Sequence, residues 1–196
     1  YSFGNFKLAV TALPGAVTAT AVTRPGEETT VVGTADRVTV GTFNVENLGG
    51  DADEAKYDAL ADTIVAFLKA PDILALEEIQ DNNGTTNDAT VAPDVTYQRL
   101  IEAIVDAGGP TYEYRQVDPV DDQDGGQPGG NIRVGFLFNP ARVTFVDRPG
   151  GGPTTATTVV NAGGQPQLSV SPGRIDPTNP AFADSRKPLV GEFTFG

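Results

Sequence analysis

The chain has 196 residues, is 39% hydrophobic, and carries 13 basic against 26 acidic residues, a formal net charge of −13. That length holds one domain with a sizeable core, while the charge disfavours nucleic-acid binding by bulk phosphate neutralisation, which Lys and Arg drive. Cysteine and histidine are both absent, which excludes disulfides, zinc–thiolate sites, cysteine nucleophiles, Ser-His-Asp triads and imidazole general bases within these residues.

Residues 1–10 read as a strand already under way, with neither initiator methionine nor signal peptide ahead of it, as in a piece of something longer. Residues 11–37, rich in Thr, Ala, Pro and Gly with a turn signal at Arg24-Pro25-Gly26-Glu27, read as a linker. Residues 1–37 are therefore assigned to an upstream region. Alternating Val38, Val40 and Thr42 predict a strand at 38–43, broken by Gly49-Gly50. Asp51 with Glu54 forms a variant capping box. Leu60, Ile64, Phe67 and Leu68 make an apolar stripe, so a helix is predicted over 52–69, stopping at Pro71. The apolar run at 73–76 predicts a strand buried on both faces. Strand, helix and strand in that order predict a right-handed parallel crossover. A second helix over 95–107 carries Leu100, Ile101, Ile104 and Val105 on one side and ends at Gly108-Gly109-Pro110. Strands follow near 112–117, 132–138 and 143–146, the last two joined by a hairpin turn at Asn139-Pro140-Ala141-Arg142. Gly, Pro, Thr and Asn dominate 147–185, which reads mostly as loop before a final strand at 188–195.

Ligands gather at the carboxyl ends of parallel strands, and Asn44 and Glu78 both sit at such ends. A side-chain amide oxygen and a carboxylate brought together there make a hard-oxygen site for Mg²⁺, with Mn²⁺ or Ca²⁺ as alternatives. Taken singly, an Asn ending a strand is ordinarily a turn former and a Glu ending one ordinarily a solvated cap. Cations in the site would let an acidic enzyme bridge its carboxylates to phosphate. The acidity equally suits a secreted or salt-adapted protein kept soluble by its charge. Asp121, Asp122 and Asp124 precede Gly125-Gly126 without the spacing of an EF-hand, and read as a flexible acidic loop. No run of about 18 apolar residues is present to span a membrane.

Phe43-Asn44-Val45 followed by Asp72-Ile73-x-x-Leu76-x-Glu78 resembles the opening of the endonuclease/exonuclease/phosphatase superfamily. The family signature ends in Leu-Gln-Glu, the Glu binding the catalytic metal; here Glu77 stands at the Gln position and Glu78 at the metal position. Longer strings resemble the large secreted bacterial nucleases of that superfamily: Phe43-Asn44-Val45-Glu46-Asn47-Leu48, Glu77-Glu78-Ile79-Gln80-Asp81-Asn82, Gly130-Asn131-Ile132-Arg133-Val134-Gly135-Phe136-Leu137-Phe138 and Ser185-Arg186-Lys187-Pro188-Leu189-Val190. The resemblance implies an α/β fold, a four-layer sandwich of two sheets with helices outside. Residues 38–196 would be its N-terminal half, one mixed sheet with helices on its outer face, and the C-terminal half would be absent. It also implies a Mg²⁺-dependent phosphodiesterase, most fittingly a nuclease, with Glu78 and Asn44 as catalytic metal ligands. Ser185-Arg186-Lys187-Pro188 resembles a Ser-Arg-Glu-Pro stretch whose arginine contacts substrate phosphate, a task suited to a planar guanidinium. Lys187 in place of Glu is expected to make the spot more basic. Arg133 is a second candidate phosphate ligand if it faces the same cleft, and otherwise a strand arginine on a solvated face.

The family's catalytic histidine, its Gly-Asp-x-Asn motif and its closing Asp-His pair have no counterpart among these residues. Those groups supply acid–base catalysis and charge stabilisation, so the isolated chain is expected to be inactive or nearly so. An inner sheet face including alternate residues of 132–138 and 189–195 is expected to lie open and to seek a partner. That partner would be the missing half, as a second segment or chain, or another copy. Nucleic acid is the implied substrate of the complete enzyme, and a secreted or cell-surface location is implied with it. A phosphatase or lipid phosphodiesterase on the same scaffold stays open, as does a non-catalytic binding or assembly module of a surface protein.

Overall fold

The computed structural model describes residues 26–196; the strand expected at 1–10 and much of the expected linker lie outside the described residues. Four strands form the central sheet in the order β1-β2-β4-β3: β1 Val40–Leu48, β2 Ile73–Ile79, β4 Arg133–Phe138 and β3 Glu113–Gln116. β1 and β2 run parallel, Val40 beside Ile73 and Phe43 beside Leu76, whereas β4 lies antiparallel to both β2 and β3. Parallel neighbours need a crossover, and α1 Glu54–Asp62 supplies it as the spacing predicts. The fold is thus α/β, one mixed sheet with α1 and α2 (Asp94–Asp106) packed on one face.

The first helix departs from expectation at both ends. Past Asp62 it widens into a π-helical turn, Thr63–Phe67, where the Leu68 N–H donates to the Thr63 carbonyl at 3.0 Å. No capping box forms: Asp53 is the N-cap and makes no side-chain cap bond. Glu54 instead meets Arg99 of α2 at 2.6 Å. Arg99 also donates to the Gly50 and Ala52 carbonyls at 2.8 Å and lies 4.2 Å above the Tyr57 ring. A charge-assisted bond from another helix outcompetes the local cap.

Alternation divides the sheet residues between two cores. Leu74, Leu76, Ile79 and Leu137 face the helices and pack with Tyr57, Ile64, Leu100 and Ile104, all fully buried. Ile73, Phe136 and Phe138 face the other side, where an antiparallel ribbon of β5 Val143–Phe145 and β10 Phe193–Phe195 covers them. Phe193 meets Phe145 edge-on at 4.9 Å and Phe136 at 5.6 Å.

This ribbon corrects two expectations. The Asn139–Arg142 turn closes, with the Arg142 N–H 2.9 Å from the Asn139 carbonyl, but β5 leaves the sheet to pair with β10, so no hairpin with β4 forms. Val143 and Phe145 bury their side chains by crossing the sheet face. The face expected to lie open is therefore closed at its apolar end. Towards the carboxyl ends of β1 and β2 it is polar, carrying Thr42, Asn44 and Glu77. Val40, 69% exposed, is the clearest apolar exception on β1.

The stretch 147–185 holds more structure than its composition suggests: a hairpin of β6 Val159–Ala162 and β7 Gln165–Leu168, and a short β8, Gly173–Arg174. β8 pairs with β9, Leu189–Val190. The final strand is split between β9 and β10 because Glu192 turns aside, its N–H bonded to Ser171 Oγ at 3.1 Å and its carboxylate to Arg148 at 2.7 Å. No helix among the described residues is long and apolar enough to cross a membrane.

Gly135 passes so close to the Tyr97 hydroxyl that a Cβ there would overlap it. Tyr97 is fully buried, stacked 4.3 Å from Tyr114, and its hydroxyl has no hydrogen-bond partner among the described residues. Gly135→Ala is expected to destabilise the fold by about 1–3 kcal/mol through overpacking. Tyr97→Phe, which removes an unpartnered hydroxyl, should be neutral or stabilising and should recover part of that loss in the double variant. Urea denaturation of the four proteins checks both statements.

Candidate active site

At the carboxyl ends of β1 and β2 the ladders lose their regularity. Asn44 lies beside Glu77, and the next β1–β2 pair is Leu48 with Ile79. On the other side of β2, Glu77 pairs with Val134 and Ile79 with Arg133. Glu78 is skipped by both neighbours. It adopts φ 69°, and Glu46 and Asn47 opposite it adopt 54° and 55°. Non-glycine residues seldom adopt positive φ, and strain of this kind collects at functional sites. Two side chains hold the β1 bulge. Lys56 from α1 donates to the Glu46 and Asn47 carbonyls, and Gln80 reaches Asn47 Oδ1 at 3.4 Å and Gln127 Oε1 at 3.1 Å.

The bulge brings three of the sequence candidates together. Arg186 Nη1 lies 2.9 Å from Glu78 Oε1, with the two side chains 34% and 19% exposed. The Asn44 amide is the largest of the influences holding the Glu78 carboxyl below its usual range, followed among the lowering ones by Arg186 and the Asn47 N–H; burial works against them. Asn44 Oδ1 accepts the Glu46 N–H at 2.8 Å, which fixes the amide's orientation. Glu77, on the same face, accepts from Thr42 Oγ1 at 3.2 Å.

This donor set fits a Mg²⁺-like cation. Glu78 is a carboxylate kept ionised, and the guanidinium on it marks a place where positive charge is favoured; Asn44 Oδ1 is taken up by the Glu46 N–H, so the amide must turn before its oxygen can join Glu78 on a cation. Mg²⁺ is commonly held by one or two carboxylates plus water and phosphate oxygens. No group of three or more Asp or Glu side chains placed to hold a metal ion occurs among the described residues.

Arg133 is not part of this group. It pairs with Ile79 on the helix-facing side of the sheet, opposite to Asn44. Its side chain is fully buried, bound to Asp118 at 2.6 Å, the Val91 carbonyl at 2.6 Å and the Asn131 carbonyl at 2.9 Å. It is neither in the cleft nor on a solvated face. The guanidinium instead ties the loops on either side to the sheet, a tertiary role without a local sequence signal. Lys187 likewise does not make the spot more basic: its ammonium is enclosed by backbone carbonyls and lies 3.4 Å from Asp124. Asp124, expected in a flexible loop, is buried between Lys187 and Arg174. Lys56, Gln80 and Asn47 were not singled out by sequence; their positions in or near the two motifs were the available signal.

The sequence profile of the Endonuclease/Exonuclease/phosphatase family matches residues 41–190, from the start of β1 to the end of β9. The chain belongs to this family. A search of curated protein sequences returned no match. Endonuclease/exonuclease/phosphatase proteins are generally hydrolases acting on phosphodiester bonds, and they typically use divalent cations, usually Mg²⁺. The matched span contains Asn44, Glu78 and Arg186, the residues that converge here.

Because Glu78 titrates below its ordinary value in the fold, its ionisation contributes stability above that ordinary value. The contribution is lost as pH falls through the depressed value. Asn44→Ala and Arg186→Gln each remove a cause of the depression. Both are expected to raise the Glu78 pKa, as followed by carboxyl ¹³C NMR between pH 2 and pH 7. An unmoved titration would show that neither contact acts on the carboxylate.

Proposed function

We propose that this chain carries the metal- and phosphate-binding part of a metal-dependent phosphodiesterase, most fittingly an extracellular nuclease. The observation that carries this reading is the convergence of Asn44, Glu78 and Arg186 at the bulged ends of two parallel strands. Glu78 stays ionised, held by the Asn44 amide, and these two would hold Mg²⁺. When bound, the cation supplies charge neutralisation at the phosphate oxygens. Arg186, exposed on one side and free to leave Glu78, takes a phosphate oxygen and holds the group against the strand ends. Its departure from the carboxylate leaves both Glu78 oxygens available.

The 196 residues contain no histidine, so imidazole acid–base chemistry has to come from another segment or a second chain. Charge neutralisation and positioning alone leave proton transfer to the attacking and leaving oxygens uncatalysed. The isolated chain is therefore expected to bind Mg²⁺ and phosphate while cleaving DNA slowly or not at all. The same absence favours a second reading, a non-catalytic binding or assembly module. A phosphatase or lipid phosphodiesterase would use the same three residues with different substrate loops.

Two measurements separate these readings. Mg²⁺ titration by calorimetry should show binding at millimolar concentration, weakened at least about tenfold in Glu78→Ala. Absence of divalent binding would favour the module. Incubation of plasmid DNA with the chain and Mg²⁺ or Mn²⁺ should give no cleavage. Cleavage lost in Glu78→Ala would mean that imidazole is dispensable here and would overturn this account of the division of labour.

A further inference from the structure

Arg186 stands in a segment whose backbone is tied at its ends, by the Ser185 N–H to the Phe182 carbonyl at 3.2 Å and by the Ile175 N–H to the Pro188 carbonyl at 3.0 Å. Residues 185–188 belong to no helix or strand, and neither Arg186 nor Lys187 makes a backbone–backbone hydrogen bond to another described residue. The next side chain provides the hold. Lys187 is 10% exposed, and its Nζ donates to the Phe182 and Ser185 carbonyls at 2.8 Å and to the Gln123 carbonyl at 3.2 Å. An ammonium has three protons, so these carbonyls account for all of them. Asp124, 2% exposed, lies 3.4 Å away on one carboxylate oxygen, and its other oxygen lies 2.8 Å from Arg174. Arg174 is anchored in turn to the Val117 carbonyl at 3.1 Å. Gly125, at φ 68°, packs against the Asp184 backbone so closely that no side chain fits between them. The segments around residues 124 and 186 are therefore clamped together by charge and by backbone contact. With Lys187 turned into the clamp, Arg186 is turned out towards Glu78.

We propose that Lys187 is a positioning residue for Arg186. Buried against Asp124, it fixes the direction from which the guanidinium reaches the Asn44–Glu78 site and so sets phosphate affinity without touching phosphate. This rests on the functional reading above. Asp124 is the poorer residue to change, because its loss leaves two buried cations facing each other; the test uses Lys187.

The full chain is titrated with inorganic phosphate and, separately, with Mg²⁺, while the Arg186 Nε–Hε resonance is followed by ¹⁵N NMR. Lys187→Met is expected to weaken phosphate binding by roughly tenfold, the scale on which small misplacement of a binding group acts. Mg²⁺ binding should not weaken and should tighten modestly, because the guanidinium no longer competes for Glu78, and the Arg186 resonance should move towards that of an unpaired arginine even without ligand. Lys187→Arg should restore both. In the Arg186→Gln background, Lys187→Met should cost nothing further. Additive losses would mean that Lys187 acts on the anion or on the fold at large, and would overturn the proposal. So would an unmoved Arg186 resonance with unchanged phosphate binding. If Lys187→Met does not fold, Lys187→Gln carries the same comparisons. A wild-type chain that binds neither phosphate nor Mg²⁺ would sink the functional reading, while the resonance of the free chain would still decide whether Lys187 positions Arg186.

Discussion

At Glu78 the sheet leaves out one residue: Glu77 pairs with Asn44 and Val134, Ile79 pairs with Leu48 and Arg133, and Glu78 pairs with neither neighbour. Because side chains alternate along a strand, a register shift of one residue exchanges the two faces. An unbroken β2 would put Glu78 on the helix side with Leu74 and Leu76, and Ile79 on the polar side. The bulge keeps Ile79 fully buried in the main core and releases the Glu78 carboxylate to the side where Asn44 and Glu77 already stand. The strained φ of Glu78 is a cost of order 1–3 kcal/mol, offset by the burial of Ile79 and by the ion pair with Arg186.

The remaining architecture supports that point from both sides. α1 reaches under the β1 bulge through Lys56, and Gln80 joins the bulge to the loop carrying Gln127. From the other direction the Asp124–Lys187 pair brings in the segment bearing Arg186. The apolar half of the same sheet face lies under the β5–β10 ribbon, which leaves the polar half at the strand ends accessible.

The strongly acidic chain keeps several of its few cations for internal work. Arg133, Arg142 and Arg174 each join a carboxylate to backbone carbonyls of another segment, and Arg99 ties Glu54 and the Gly50 and Ala52 carbonyls to α2. Guanidinium suits this task because its planar fork bonds several acceptors at once. Arg186, by contrast, pairs with one carboxylate and is a third exposed.

Much of the fold, and the three residues that meet at the candidate site, were legible in the residues themselves. The apolar run at 73–76, the stripe of α2 and the crossover between β1 and β2 follow from periodicity and chain order, which are local properties. Asn44 and Glu78 were legible because strand ends in this topology gather ligands, and their motifs carry the family resemblance. Tertiary structure decided what depends on partners far along the chain. Glu54 chose Arg99 over its own helix cap, β5 chose β10 over a hairpin with β4, and Arg133 turned inward to Asp118 and Val91. Lys187 disappeared into a cage closed by Asp124. Each of these outcomes turns on a charge or an apolar face finding its partner in a distant segment, and such a choice has no period or spacing to announce it.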